Sequence, residues 1–176
     1  MCKTELVRAY SSEYTEFATA LQAAFAVAVE EAFGPLTNGP IPSDDDVRGS
    51  LYAPGADVWH IVADGEKVGG AVVTADKNSR RSSLELFFID PSKHSKGLGL
   101  AAWEAIERKY PFTRVWETVT PYFERRNINF YVNKCGFKIV EFYNEYHKDP
   151  LHASPVGSDG KPLPGTDAFF RFEKTM

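Results

Sequence analysis

A glycine-rich turn that leads from a strand into a helix is the part of this sequence best suited to chemistry. Ser83–Ile89 predicts a strand, and Gly97 and Gly99 open a helix that continues to about Tyr110. Backbone N–H groups in the first turn of a helix lack intrahelical partners, and the helix dipole favours negative charge there. Glycine also removes the Cβ that would keep a pyrophosphate away from the main chain. The unit therefore predicts a binding site for a phosphorylated ligand.

The glycines alone leave the kind of ligand open. Gly97-x-Gly99-x-x-Ala102 fits the dinucleotide fingerprint, and Glu117 lies about 20 residues further on, where a ribose-binding acid would be. However, seven residues, Asp90 to Lys96, separate the strand from the first glycine, and the preceding strands look like hairpins. The dinucleotide interpretation is therefore the weaker one. A nucleotide P-loop is excluded, because no Gly-Lys-Ser/Thr follows.

A longer pattern surrounds these glycines. Asp90-Pro91, followed by His94-Ser-Lys-Gly97-Leu-Gly99, resembles the acyl-CoA-binding signature of the GNAT N-acetyltransferase superfamily, written Gln/Arg-x-x-Gly-x-Gly/Ala. His94 stands where that signature has Gln or Arg. The stretch from Asn127 to Phe137 resembles the later helix of the same family, with its tyrosine and closing Gly-Phe. The resemblance implies a single GNAT-like domain over residues 1–176.

The second motif departs from the family in its spacing. Tyr131 precedes Gly136 by five residues, where the commoner pattern has four. Either the helix end carries an extra residue or the tyrosine is rotated away from the family position. Asn127 also lies closer to the tyrosine than the family's asparagine does, so its role is carried over weakly.

The resemblance implies acetyl-CoA as cosubstrate and assigns residues to it. The backbone N–H of Phe88 or Ile89 would polarise the thioester carbonyl, and Asn127 would bond to the pantetheine unless it is a plain helix-surface residue. Lys96 would add charge unless it is a solvated loop lysine. The pyrophosphate-binding turn comprises His94, Ser95, Lys96, Gly97, Leu98, Gly99, Leu100 and Ala101.

Acetyl transfer to an amine needs a base, because a lysine-like amine is almost wholly protonated at pH 7. Glu85 is the candidate base, because it is the one charged residue in an otherwise apolar run of its strand. We expect desolvation by these apolar neighbours to raise the pKa of its carboxyl. Some family members use a glutamate at a matching point. The alternative is a solvent-facing glutamate on an alternating strand. Tyr131 is the candidate acid for the departing thiolate, and its alternative is an aromatic ring packed under the helix.

The acceptor is a small-molecule or peptide amine of unspecified identity. In the family, the loops that correspond here to residues 34–54 and 145–166 wall the acceptor site. The Asp44-Asp45-Asp46 run would attract a cationic amine, or would simply stabilise a helix N-terminus. Residues 145–166, rich in Pro and Gly, form a lid or are disordered. A rival hypothesis is a catalytically silent domain that binds acyl-CoA.

Other candidate groups predict less. His60, His94, His147 and His152 show no metal-ligand spacing, so we expect no metal. Cys135 is either an acyl relay or a small buried residue that packs in the core.

The composition excludes several classes of protein. The net charge of -4 argues against nucleic-acid or acidic-membrane binding, and no apolar run approaches the roughly 18 to 20 residues that span a bilayer. Two cysteines are too few for a disulfide framework and fit a reducing cytosol. We therefore expect a cytoplasmic protein, and a homodimer is left open.

Hydrophobic periodicity predicts the elements that position these residues, in the order β α α β β β α β α β β. This order implies an α/β (α+β) fold, a GNAT-like mixed and mostly antiparallel sheet of about six or seven strands flanked by about four helices. Ser11 or Ser12 is expected to cap the first helix and Ser43 the second. The predicted helices are Ser11/Ser12 to Phe33, Ser43 to Leu51, Gly97 to Tyr110 and Glu124 to Lys134. The predicted strands are Glu5–Ala9, Asp57–Ala63, Lys67–Thr74, Ser83–Ile89, Thr113–Val119, Phe137–Tyr143 and Ala168–Phe172.

Overall fold

A computed structural model of the chain describes residues 3–94, 97–151, 156 and 159–176. Seven strands form one sheet in the order β1-β2-β3-β4-β5-β7-β6. Within the described residues, β4 and β5 are the one parallel pair, and every other neighbouring pair is antiparallel. The predicted mixed, mostly antiparallel sheet is therefore confirmed. The strands are β1 (Thr4–Arg8), β2 (Ala56–Ala63), β3 (Glu66–Asp76), β4 (Arg81–Ile89), β5 (Val115–Pro121), β6 (Lys138–Tyr143) and β7 (Phe169–Thr175).

In the described part of the chain four helices flank the sheet, as predicted. They are α1 (Tyr14–Phe33), α2 (Asp44–Leu51), α3 (Leu98–Lys109) and α4 (Arg125–Asn129), and α4 continues into a π turn at Phe130–Lys134. No helix in the described part of the chain is both long and apolar enough to cross a membrane.

The two faces of the sheet carry different helices. Successive residues of a strand point to opposite faces, and Val72 and Val73 of β3 accordingly belong to two separate cores. Val72 packs with Phe17 of α1 and Val47 of α2, whereas Val73 packs with Trp103 of α3. Helix α3, which begins at the predicted phosphate-binding turn, therefore lies on the face opposite to α1 and α2.

The helix starts differ in how well they were predicted. Ser43 is the N-cap of α2, and its hydroxyl accepts a hydrogen bond from the Asp46 N–H at 3.2 Å, as expected. The expected serine cap of α1 is wrong. Ser11 begins a short 3-10 segment instead, and the Glu13 carboxylate accepts from the Tyr10 N–H at 2.9 Å. This is the glutamate half of a capping box, which serves the N–H of the residue before the turn, whereas a serine cap would have served an N–H inside the helix.

Gly70 lets α1 approach the sheet closely. A Cβ at Gly70 would lie 2.3 Å from the Phe17 ring and 2.7 Å from the Phe88 ring. We expect Gly70→Ala to lower the free energy of unfolding by about 1–3 kcal/mol, because both rings must leave their positions. Gly49, in α2, has nothing within 4 Å of its Cβ position, so Gly49→Ala should stabilise by about 0.5–1 kcal/mol. Urea unfolding followed by circular dichroism measures both, and equal shifts would contradict the expectation.

Candidate active site

The sheet splits between β4 and β5, and the split forms the candidate cleft. The two strands pair only from Arg81 to Ser83, opposite Val115 to Glu117, within the described residues. The last link between them is the Thr118 hydroxyl, which donates to the Leu84 carbonyl at 2.9 Å. Beyond it the edge of β4 that faces β5 is unpaired. Phe88 and Ile89 lie on this stretch, so their backbone groups are placed where the thioester was predicted to bind.

The turn that follows β4 is held in place before α3 begins. The Asp90 carboxylate accepts from the Ser92 N–H at 2.8 Å, and the His94 Nε2 donates to the Ile89 carbonyl at 3.1 Å. His94 thus ties the turn to the strand end. Ser95 and Lys96, both predicted to hold pyrophosphate, lie outside the described residues.

Helix α3 begins as the sequence predicts. Gly97 has φ +86, in the left-handed region that favours glycine, and its carbonyl accepts from the Ala101 N–H at 2.9 Å. The N–H groups of Leu98, Gly99 and Leu100 belong to the first turn, where an α-helix offers no intrahelical acceptor. These N–H groups lie next to the end of β4, because the side chains of Leu98 and Ile89 belong to the same small hydrophobic cluster.

Phe130 is a residue that sequence reasoning missed. Its ring stacks on Phe87 of β4 with centroids 5.8 Å apart and planes 4° apart. A Cβ at Gly99 would lie 3.3 Å from the same ring. Gly99 therefore lets the Phe130 ring pack closely against the first turn of α3. An aromatic residue before Tyr131 gives no separate signal in the sequence, because core aromatics are common.

Glu85 lies at a β-bulge of β4. Val72 of β3 pairs with Leu86 and Val73 with Leu84, so Glu85 is the extra residue. Bulges re-aim side chains and are frequent beside active sites. The expected desolvation of Glu85 is wrong: its side chain is exposed, and its carboxylate accepts from the Thr74 hydroxyl at 2.8 Å. The bulge turns the carboxylate out of the apolar strand into which the sequence had placed it.

The unusual Tyr131-to-Gly136 spacing has a structural explanation. The chain forms a π turn, in which the Cys135 N–H donates to the Phe130 carbonyl at 3.0 Å. This i to i+5 bond accommodates one extra residue, the first of the two alternatives, and π turns are frequent at functional sites. The helix then closes at Gly136, with φ +82.

Tyr131 lies within the core. The residue is 4% exposed, and its ring contacts Phe137 and Phe172 with centroids 5.5 and 5.7 Å away. Burial raises its pKa well above the ordinary value, while the neighbouring Thr118 hydroxyl works in the opposite direction. Because Thr118 marks the point where β4 and β5 separate, the Tyr131 hydroxyl points toward the base of the cleft. Its role as the acid stays a prediction.

The remaining candidates give a mixed result. Asn127 is half-buried on α4, and among the described residues its amide has no hydrogen bond. Cys135 is buried, and desolvation raises its pKa to about 12, so the thiol suits a packing role. Glu117 is ion-paired to Arg81 at 2.8 Å, at the end of the cleft away from α3. Within the described residues no group of acidic, histidine or cysteine side chains could hold a metal.

The predicted acceptor loops are partly described. Asp44, Asp45 and Asp46 occupy the first turn of α2, where the helix dipole stabilises them. A cavity of about 600 Å³ lies at the ends of β6 and β7, lined by Tyr143 and Phe169 among others. It also includes Glu145, Asp149 and Asp167. Residues 152–155, 157 and 158 of the predicted lid lie outside the described residues.

Comparison with known proteins decides the family. The profile of the acetyltransferase (GNAT) family matches residues 19–137. The chain belongs to the GNAT family of acetyltransferases. YrkN of Bacillus subtilis (strain 168) is 57% identical over 174 residues, which cover 99% of this chain and 94% of that protein.

Two solved structures share the fold of this GNAT domain. A Bacillus subtilis acetyltransferase in complex with CoA matches with a TM-score of 0.64 and 18% identity, covering 100% of this chain and 99% of that one. The ribosomal-protein-S18-alanine N-acetyltransferase from Escherichia coli matches with a TM-score of 0.65 and 14% identity, covering 98% and 94%. The GNAT resemblance of the two sequence motifs is thus confirmed, and the dinucleotide interpretation loses its support.

Proposed function

We propose that this protein transfers an acetyl group from acetyl-CoA to a primary amine by direct attack in a ternary complex. The observation that carries the proposal is the split between β4 and β5, which opens beside the N-terminus of α3. Free strand groups and free helix N–H groups then face one cleft, as a ligand with a diphosphate and an amide-containing arm requires.

The donor would lie along this cleft. The pyrophosphate would accept hydrogen bonds from the N–H groups at the start of α3, and the pantetheine arm would follow the unpaired edge of β4. A backbone N–H of Phe88 or Ile89 would donate to the thioester carbonyl as charge develops on its oxygen. Asn127, half-buried on α4, is the proposed side-chain contact to the pantetheine.

The proposed chemistry needs one base and one acid. The ammonium of the acceptor loses a proton to Glu85, directly or through water, and the neutral nitrogen attacks the thioester carbonyl carbon. The C–N bond forms, the C–S bond breaks, and the leaving thiolate takes the proton of the Tyr131 hydroxyl. The attacking nitrogen, which is positively charged after the attack, loses a second proton, and a proton returned through solvent restores the Tyr131 hydroxyl. The products are an amide and the free thiol of CoA.

The acceptor is proposed to be a small-molecule or peptide amine. The Escherichia coli enzyme with the same fold is, by its name, an N-acetyltransferase for an alanine of ribosomal protein S18. The amine of that alanine is a peptide amine. The acetyl-CoA donor and the unpaired thiol of Cys135 fit a cytoplasmic location.

The burial of Tyr131 favours a second candidate function. If the Tyr131 hydroxyl only packs within the core, no acid is available to protonate the CoA thiolate. The protein would then bind acyl-CoA without turnover. One experiment separates the two candidates. Calorimetry with CoA measures binding, and a thiol-release assay with acetyl-CoA and a panel of primary amines measures turnover.

We expect CoA to bind and thiol to appear only when an amine is present. Binding without turnover on any amine would support the silent domain. Absence of CoA binding to folded protein would overturn both candidates.

A further inference from the structure

Glu124 is a nearly buried carboxylate for which the proposed reaction has no use. It lies between the end of β5 and the start of α4, where its backbone N–H donates to the Pro121 carbonyl at 3.1 Å. The residue is 6% exposed. Among the described residues its carboxylate has no hydrogen bond and no ion pair, in contrast to Glu85. A carboxylate in this state is unusual, because buried charges are normally paired.

Two distant parts of the chain pack against Phe123, the residue that precedes Glu124. Phe33, near the C-terminus of α1, packs edge-on against Phe123 with centroids 5.0 Å apart. Before β7 the backbone comes so close that a Cβ at Gly165 would lie 2.1 Å from the Phe123 ring. Helix α1 also contacts β4, through Phe17 and Phe88 at 5.4 Å. Helix α1 therefore reaches from β4 to the segment after β5, and Glu124 follows the part of β5 that no longer pairs with β4.

The charged and titratable groups near Glu124 are few. Glu31 of α1 and Arg126 of α4 act on it with opposite signs, and those two pair with each other at 3.9 Å. On the inner side, the charge of Glu124 acts on Tyr131, the proposed acid. Glu124 thus lies between the outer surface at Glu31 and the reacting centre at Tyr131. Arg126 is 80% exposed at its side chain and pairs with Glu31, so that among the described residues Glu124 makes no ion pair of its own.

We propose that Glu124 receives the cationic amine of the acceptor, so that the substrate is an alkylammonium compound whose charge pairs with this carboxylate beside the packed rings of Phe33 and Phe123. The inference rests on the acetyltransferase function proposed above. It makes the acceptor a cation. It also places the recognition of that cation at Glu124 in the cleft, and not at the Asp44–Asp46 run.

A cation should bind here because the unpaired Glu124 carboxylate is destabilised without one. An unpaired carboxylate that has lost most of its water is destabilised, and a cation brought next to it removes that penalty. Aromatic rings beside the ammonium add cation–π attraction and exclude water from the pair. In the absence of a cation, desolvation raises the pKa of Glu124, and the charge of Glu31 raises it further, while Arg126 lowers it. Binding of a cation should therefore weaken as the pH falls through this raised pKa, where the carboxylate becomes neutral.

The test uses 1,4-diaminobutane as the cationic probe, titrated by calorimetry into the CoA-bound protein. Glu124→Gln keeps the shape of the side chain and removes its charge. Glu104→Gln, on the exposed side of α3, is the matched control for loss of one negative charge. We expect the Kd of the diamine to rise about tenfold or more in Glu124→Gln and to change less than twofold in Glu104→Gln. Glu124→Asp, which keeps the charge, should restore most of the affinity.

Turnover gives a second readout. With the diamine as acceptor, Glu124→Gln should raise KM at least as much as the Kd and leave kcat within about threefold. With aniline, which is neutral at pH 7, the variant should match the wild type. A fall in kcat at unchanged KM would show that Glu124 acts as a general acid or base instead. Weaker CoA binding in the variant would show that Glu124 contacts the acetyl donor. Either result overturns the proposal.

The two proposals fail in different ways. Diamine binding that depends on Glu124, without thiol release, would sustain recognition and overturn acetyl transfer. Turnover of the diamine at equal KM in the wild type and in Glu124→Gln would sustain acetyl transfer and overturn recognition. If the wild-type protein does not bind the diamine, recognition is overturned whatever the turnover.

Discussion

Replacing Glu85 by glutamine is expected to lower kcat by about 100- to 10,000-fold, the range typical of a general base, with KM for acetyl-CoA unchanged. The carboxylate lies at the bulge of β4, beside the stretch whose edge is free for the thioester arm. Glutamine keeps the size of the side chain and can still accept from Thr74, but it cannot take a proton. Steady-state kinetics of thiol release, with a primary amine as the acceptor, measures the effect.

Two controls make the Glu85 result specific. Glu104→Gln removes an exposed charge on α3 and should leave kcat unchanged. Thr74→Val removes the hydroxyl that donates to Glu85 and should lower kcat by less than about tenfold, because the carboxylate keeps its charge but loses its orientation. Glu85 is not the base if the glutamine variant keeps more than a third of the wild-type kcat.

Replacing Tyr131 by phenylalanine is expected to lower kcat about 100-fold, with little change in stability. Burial raises the pKa of the Tyr131 hydroxyl, so it stays protonated at neutral pH and is available to the thiolate. Phenylalanine keeps the ring contacts with Phe137 and Phe172 and removes only the O–H. Thiol-release kinetics together with thermal unfolding measures the two effects separately.

The alanine variant separates catalysis from packing at Tyr131. Tyr131→Ala removes the whole ring and should cost about 3–5 kcal/mol of unfolding free energy, as for other buried aromatics. A phenylalanine variant with wild-type kcat and an alanine variant that is destabilised would together make Tyr131 a core residue. The silent acyl-CoA-binding domain would then gain support only if the wild-type protein also lacked turnover.

Local patterns predicted most of the fold. The turn between β2 and β3, the cap at Ser43 and the glycines before α3 each depend on a few neighbouring residues, and the structure has them where expected. The cap of α1 was wrong because the chain enters this helix through a 3-10 turn at Ser11–Glu13, so neither serine is the residue that begins α1, and the sequence does not show that turn. The extra residue in the second motif was visible in the spacing, but a π turn and a rotated tyrosine produce the same spacing.

The candidate site was predicted less completely, because burial depends on residues far apart in the chain. Glu85 has apolar neighbours and was expected to be desolvated, yet a bulge turns it out to solvent. Glu124 has no distinguishing neighbours in the sequence, yet residues from α1 and from the segment before β7 surround it. Phe130 became part of the site only through contacts with Gly99 and Phe87, which are 31 and 43 residues away in the chain and whose proximity no local pattern encodes.

The sequence by itself therefore determined the order of the elements, the glycine turn before α3 and the GNAT family, since these depend on residue types at short spacing. The tertiary structure alone decided where β4 parts from β5, which carboxylate is exposed and which is enclosed, and how the extra residue near Tyr131 is accommodated. The physical reason is that main-chain conformation is governed by near neighbours, whereas the solvation of a charge is governed by every element packed around it.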